Sequence, residues 1–129
     1  MRALEVMKIS PIVPVVAIED VDDALNLTDA LLEGGIAIME ITLRTQAGLK
    51  AIEAISKSMP EMNVGAGTVL NEQDFKNAVN HGSQFVFSPG ISEELMSISK
   101  KLEIALIPGV ATASEVMLCL LYTSPSPRD

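Results

Sequence analysis

The segment 36–44 places an acid, a hydroxyl and a guanidinium group at alternate positions. In an extended strand these three residues, Glu40, Thr42 and Arg44, lie on the same face as Ile38. Arg44 is roughly 13 Å further along the strand than Glu40. The opposite face is apolar and consists of Ala37, Met39, Ile41 and Leu43. A carboxyl group on such a strand is either paired or has a raised pKa, which suits a general acid/base near neutral pH. Glu40 is therefore a candidate catalytic residue, with a structural ion pair or a solvated strand end as the alternative.

Three further segments carry glycine or proline where a predicted strand ends. Gly65 and Gly67 allow the backbone to approach a ligand closely, and Thr68 offers its hydroxyl and amide to a carboxylate. The segments 88–90 (SPG) and 108–109 (PG) combine a rigid proline with a flexible glycine. Taken one at a time, each segment also fits a tight turn between a strand and a helix.

Two other polar features fit structural roles better than catalytic ones. His81, the single histidine, falls in the last turn of a predicted helix, where a positive charge is favoured by the helix dipole. The acidic run 19–23 lies at a predicted helix start, where negative charge is favoured in the same way. A metal-binding acidic pair is the alternative interpretation of that run.

The elements that must position these residues alternate along the chain. Short apolar runs predict strands at 11–18, 36–43, 63–66, 84–87 and 104–107. Helical spacing and capping residues predict helices at 20–33 and 46–59, from Asn71 to His81–Gly82, after Ser92, and from the capping-box segment 112–115. Such alternation demands a parallel sheet with right-handed crossovers. It leaves two folds open, a doubly wound sheet or the first half of an eight-fold barrel, and both bind ligands at the carboxyl ends of their strands.

Composition excludes several classes of partner. The chain has 129 residues, 48% of them hydrophobic, which is enough for one domain with a real core. The formal net charge of −8 and the absence of a basic stripe argue against nucleic acid and anionic membranes as partners. A single cysteine fits a reducing cytosol, and neither a membrane-spanning run nor a secretory signal is visible.

The last eleven residues, 119–129, read CLLYTSPSPRD and change composition abruptly. They match, residue by residue, the translation of a DNA adapter used in transposase-based sequencing. We therefore expect residues 1–118 to form the truncated domain and residues 119–129 to be a tail of foreign origin. A natural linker rich in serine and proline is the alternative.

Four segments together resemble the KDPG/KHG aldolase family in order and spacing. They are MEITLRT (39–45), VGAGTVLN (64–71), FSPG (87–90) and IPGVATASE (107–115). The resemblance covers nearly all of residues 11–118. It implies an α/β fold, the N-terminal half (about five βα units) of a (β/α)8 TIM barrel, which forms a cytoplasmic homotrimer when full length. It also implies a small 2-keto acid substrate and no metal or organic cofactor.

The same resemblance assigns roles to single residues. Glu40 matches the family's general acid/base, and Arg44 matches a substrate-binding arginine whose planar fork suits a carboxylate. Thr68 matches the residue that holds the pyruvyl carboxylate, and Pro89 belongs to a motif that lines the pocket. The family also uses a lysine on the sixth strand that forms a Schiff base with the substrate ketone. None of the six lysines here matches it, so we expect a class I aldolase whose 129-residue form is inactive.

Two functions of other classes remain for comparison. A five-unit signalling domain of the phosphoacceptor receiver type agrees in length, but the third strand lacks the required aspartate and the fifth lacks the lysine before Pro108. A half-barrel with only a structural or binding role requires residues 119–129 to be native. The source DNA around codon 119 distinguishes this last possibility from truncation.

Overall fold

Five βα units follow one another along the chain, after a short first helix. The computed structural model describes residues 1–123, the last two by backbone alone. The strands are β1 (Val15–Val16), β2 (Ile38–Thr42), β3 (Asn63–Gly67), β4 (Phe85–Ser88) and β5 (Ala105–Pro108). The helices are α1 (Ala3–Ile9), α2 (Val21–Glu33), α3 (Gly48–Ser58), α4 (Glu72–Asn80), α5 (Glu93–Leu102) and α6 (Ala113–Thr123).

The order of the strands resolves the choice between the two folds. All neighbouring strands are parallel, and they lie in the sheet in chain order, β1-β2-β3-β4-β5. A doubly wound domain of the receiver type has its first two strands exchanged, in the order 2-1-3-4-5. Helices α2 to α6 pack against one another in sequence as well. The architecture is therefore that of consecutive barrel units, as the resemblance implied.

The two sides of the sheet are covered differently. The outer side packs against the helices in an apolar core that includes Met39 and Ile41 of β2. The inner side has a smaller cluster, in which Val6 of α1 contacts Ile38 and Phe85. Because these inner residues lie toward the amino ends of their strands, the carboxyl ends are left for polar side chains.

Side-chain caps fix where α2, α4, α5 and α6 begin, and the sequence predicted those at Asn71, Ser92 and the segment 112–115. The side chains of Asp20, Asn71 and Ser92 accept hydrogen bonds from backbone N–H groups two or three residues on, at 2.9, 2.8 and 3.2 Å. At α6, the Thr112 hydroxyl accepts from the Glu115 N–H at 3.2 Å. The Glu115 carboxylate accepts from the residue before Thr112, so the predicted capping box forms in modified form.

The structure differs from the sequence-based expectations at both ends of the chain. Strand β1 is much shorter than the predicted 11–18, and at its amino end this is because Pro11 and Pro14 have no N–H to donate to a neighbouring strand. Helix α1 was not predicted. Helix α6 continues into the expected tail, whose residues 124–129 lie outside the described residues, and the foreign origin of the tail stays a prediction. Among the helices of the described residues, none is long and apolar enough to cross a bilayer.

Candidate active site

Glu40 lies at the middle of β2 on the inner side of the sheet, as its position in the alternating pattern predicted. It is 8% exposed and stands beside Gly65 in the register of β2 and β3. Its carboxyl group extends over Gly67, and a methyl group at that glycine would overlap the carboxyl oxygen. The missing side chain of Gly67 therefore provides the space that Glu40 occupies.

An aromatic pair forms the apolar side of the site. The ring of Phe85 fills the space beside Gly65, where a Cβ atom would overlap it. Phe87 meets Phe85 edge to face, with ring centroids 5.8 Å apart and an interplanar angle of 83°. Sequence analysis did not single out Phe87, although alternation along β4 places both rings on the inner side.

The surroundings of Glu40 favour its protonated form. Burial raises the pKa of the Glu40 carboxyl group above its usual value, and the positive charge of Arg44 acts in the opposite direction. Within residues 1–123, no hydrogen bond or ion pair reaches this carboxyl group. A raised pKa makes the carboxylate a stronger base than that of an ordinary glutamate, which suits a general acid/base.

Arg44 and Thr68 meet at the carboxyl ends of neighbouring strands. The Arg44 Nε–H donates to the Thr68 hydroxyl at 3.3 Å, near the exposed rim of the site. Thr68 has a φ angle of 59°, in the left-handed region that a β-branched residue rarely adopts. A guanidinium group next to a hydroxyl is a suitable pair of donors for a carboxylate.

The turn after β4 is fixed by hydrogen bonds on both sides of Pro89. The buried Ser88 hydroxyl donates to the Gly90 carbonyl oxygen at 2.7 Å, and the Gly109 N–H donates to the Ser88 carbonyl oxygen at 2.8 Å. A Cβ atom at Gly109 would overlap the Pro89 carbonyl group. The glycine after Pro108 thus lets the turns after β4 and β5 lie against each other.

One cavity contains all four of the residues selected from the sequence. Its volume is about 190 Å³, and it opens at the carboxyl ends of the strands. It is lined by Glu40, Arg44, Thr68, Phe87, Ser88 and Pro89. The structure therefore brings Glu40, Arg44, Thr68 and Pro89 together around one space that is large enough for a small carboxylic acid.

The remaining polar candidates have structural positions. His81 ends α4, with its Nδ1 atom 2.7 Å from the Asn77 carbonyl oxygen. Asp20 caps α2 as described above. A larger cavity of about 410 Å³ lies between α1, α5 and β5, and it contains none of the four selected residues. Of its two acids, Glu5 and Glu103, the first is engaged by Arg2, whose backbone N–H donates to the Glu5 carboxylate at 2.8 Å.

A protein-family model and a curated relative match most of this chain. The model described as "KDPG and KHG aldolase" matches residues 4–124. The KHG/KDPG aldolase of Escherichia coli K12 is 42% identical over 120 residues, which make up 93% of this chain and 56% of that protein. The chain thus spans about half the length of the curated relatives it matches.

Solved structures match the fold as well. The 2-keto-3-deoxy-6-phosphogluconate aldolase of Zymomonas mobilis ZM4, crystallised with 3-phosphoglycerate, has a TM-score of 0.86 at 43% identity, covering 92% of this chain and 56% of that one. The KDPG aldolase of Legionella pneumophila was captured with pyruvate as a covalent carbinolamine intermediate. It has a TM-score of 0.87 at 44% identity, covering 91% of this chain and 57% of that one.

Proposed function

The chain belongs to the KDPG and KHG aldolase family, and we propose that it supplies the general acid/base and the carboxylate-binding residues of a class I aldolase. In full-length form, the enzyme would cleave 2-keto-3-deoxy-6-phosphogluconate to pyruvate and glyceraldehyde 3-phosphate. It would also, or instead, cleave 4-hydroxy-2-oxoglutarate to pyruvate and glyoxylate. Both substrates are 2-keto acids with a hydroxyl group two carbons from the ketone.

The observation that carries this proposal is the position of Glu40. It is a buried carboxyl group whose pKa is raised, and it lines the same small cavity as a guanidinium and a hydroxyl group. Arg44 and Thr68 would bind the substrate carboxylate at the rim, which directs the rest of the molecule inward toward Glu40. Pro89 and Phe87 would contact its apolar carbons.

Such an arrangement suits cleavage through an imine. An amine of the enzyme adds to the ketone, and the resulting carbinolamine loses water to give a protonated imine. A base removes the proton of the C4 hydroxyl, the C3–C4 bond breaks and the aldehyde leaves, while the bonding electron pair becomes that of an enamine. Protonation at C3 and hydrolysis then release pyruvate and regenerate the amine. Glu40 would transfer these protons.

The imine needs a lysine amine, and no lysine is among the residues that line the cavity. Its six lysines all lie on helices, α1, α3, α4 or α5, and five of the six are exposed. The family resemblance assigns the imine to a lysine on a sixth strand. We therefore propose that the 129-residue chain is inactive as an aldolase, because no described lysine lies at the carboxyl end of a strand.

Borohydride trapping tests this part of the proposal. The chain would be incubated with pyruvate and sodium borohydride, which reduces an imine to a stable amine, and analysed by mass spectrometry. We expect no adduct on the 129-residue chain and one adduct on the full-length protein. An adduct on Lys8, Lys50, Lys57, Lys76, Lys100 or Lys101 would contradict the proposed inactivity, and an untrapped full-length protein would contradict the aldolase assignment.

The role of Glu40 is tested in the full-length protein. Glu40→Gln should lower turnover by roughly 10²–10⁴, the usual contribution of general acid/base catalysis. Glu61→Gln, at an exposed glutamate outside the cavity, is the matched control and should leave turnover unchanged. Turnover of Glu40→Gln close to that of the unmodified enzyme would remove the role assigned to Glu40.

Two remaining parts of the proposal come from the family resemblance: a cytoplasmic homotrimer in full-length form, and the absence of a metal or organic cofactor. A third part, residues 1–118 as the aldolase part of the chain, comes from the match of residues 119–129 to the sequencing adapter. Reading the source DNA around codon 119 tests the last part. Codons that differ from those of the adapter would make residues 119–129 native.

A further inference from the structure

Thr42 is a buried hydroxyl residue that the roles above do not use. It follows Glu40 by two positions on β2, so it lies on the same inner face, and it is 1% exposed. Its Oγ1 atom has no hydrogen-bond partner in the part of the chain that the structure describes. A buried hydroxyl without a partner is destabilising compared with a methyl group of similar size.

The other buried hydroxyl groups of the described residues are all bonded. Thr28, Ser83 and Ser88 donate to backbone carbonyl oxygens at 2.7, 2.6 and 2.7 Å. Thr42 therefore stands out from groups of the same chemistry in the same protein. Two positions before it on the inner face of β2 is Glu40, whose carboxyl group also has no hydrogen-bond partner within residues 1–123.

The register brings the two groups to one place. Thr42 pairs with Gly67 across the ladder, and the Glu40 carboxyl group lies over that same glycine. Neighbouring strands are about 4.8 Å apart, so the carboxyl group lies beside the Thr42 position. A change of rotamer in the flexible Glu40 side chain would bring its carboxylate to the Thr42 hydroxyl, because glutamate and threonine at i and i+2 share one face.

We propose that Thr42 is a positioning residue for Glu40, whose hydroxyl donates a hydrogen bond to the carboxylate when Glu40 is ionised. Glu40 then has two positions. In this structure the carboxyl group lies over Gly67 without a hydrogen-bond partner; ionised, it is held by Thr42 at the inner face of β2. A hydrogen bond from a hydroxyl to a carboxylate stabilises the charged form and lowers the pKa of the acid. The proposal depends on the acid/base role of Glu40 proposed above.

The test is the titration of Glu40 itself in the 129-residue chain. Glutamate labelled with ¹³C at the side-chain carboxyl carbon would be followed by NMR against pH, with the Glu40 signal assigned by its loss in Glu40→Gln. Thr42→Val removes the hydroxyl at constant shape, and we expect the acid dissociation constant of Glu40 to fall about tenfold. Thr42→Ser retains the hydroxyl and should titrate like the unmodified chain.

Thr28→Val is the matched control, since it removes a buried threonine hydroxyl elsewhere and should leave the Glu40 titration unchanged. Urea unfolding of Thr42→Val at pH 3.5, where Glu40 is largely protonated in both the folded and the unfolded chain, should show no loss of stability, which separates a titration effect from damage to the fold. If Glu40 titrates identically in Thr42→Val and the unmodified chain, the proposal is wrong. This measurement needs neither substrate nor lysine, so its failure is distinguishable from failure of the aldolase assignment.

Discussion

The two faces of the sheet share one backbone but have different compositions. On the outer face, residues of three neighbouring strands are apolar and completely buried against the helices; they are Met39, Ile41, Val64, Ala66 and Val86. On the inner face, β2 and β3 carry Glu40, Thr42, Gly65 and Gly67, and β4 carries the rings of Phe85 and Phe87. The outer face buries apolar area, while the inner face holds two polar groups without partners and two glycines, of which Gly67 gives room to Glu40 and Gly65 gives room to Phe85. The comparison indicates that stability comes mainly from the outer face and chemistry from the inner one.

The strongest test of this comparison is a substitution that creates a cavity on the outer face of β2. Ile41 is completely buried, so Ile41→Ala should lower the free energy of unfolding by about 2–5 kcal/mol. Urea unfolding at pH 7 measures the loss. Its neighbour on the same strand, Glu40, provides the contrast, since Glu40→Gln removes no buried carbon. A loss below that of an ordinary surface substitution would contradict the assignment of stability to the outer face.

A smaller effect on stability is expected at the glycines of the inner face, where the absence of a side chain leaves space for a neighbouring residue. Gly65→Ala places a methyl group within the ring of Phe85, which must move, and we expect a loss of about 1–3 kcal/mol by urea unfolding. Gly90→Ala is the matched control. A Cβ atom there meets no other atom within 4 Å, so this variant should be neutral or slightly more stable. Equal losses in the two variants would show that space beside Phe85 is not the cause.

The division between the two faces could be predicted from the sequence, because it depends only on the period of a strand. Alternation along 36–44 placed Glu40 opposite Met39 and Ile41, as observed. The capping residues Asn71 and Ser92 were equally local signals, since the bonded N–H lies three residues away. Such features need no knowledge of which elements pack together.

The details that shape the cavity depend on contacts between strands and could not be predicted in this way. That Gly67 makes room for Glu40 requires the register of β2 with β3. The left-handed backbone at Thr68 has no local signal, because threonine is not a residue that favours positive φ. Helix α1 was not predicted, because its buried residue, Val6, packs against strands that are distant in the sequence.

The smallest expected effect is the dependence of stability on pH that comes from the charge of Glu40 on the inner face. Burial raises the pKa of Glu40 in the folded chain above its value in the unfolded chain. Between these two values the folded state binds more protons than the unfolded state, so ionisation of Glu40 lowers stability as the pH rises through that interval. Below the unfolded pKa the carboxyl group is protonated in both states and contributes no such loss.

Glu40→Gln does not titrate, so it should gain stability relative to the unmodified chain as the pH rises, and the gain should level off above the folded pKa. Urea unfolding of both chains at a series of pH values from 3.5 to 8 measures this difference. Glu61→Gln corrects for the general effect of removing one negative charge from a chain of net charge −8. If the unmodified chain instead gains stability relative to Glu40→Gln as the pH rises, then the field of Arg44 outweighs burial. In that case the inner face would also stabilise the fold, through its charges. The two faces would then differ only in the kind of interaction by which they stabilise it.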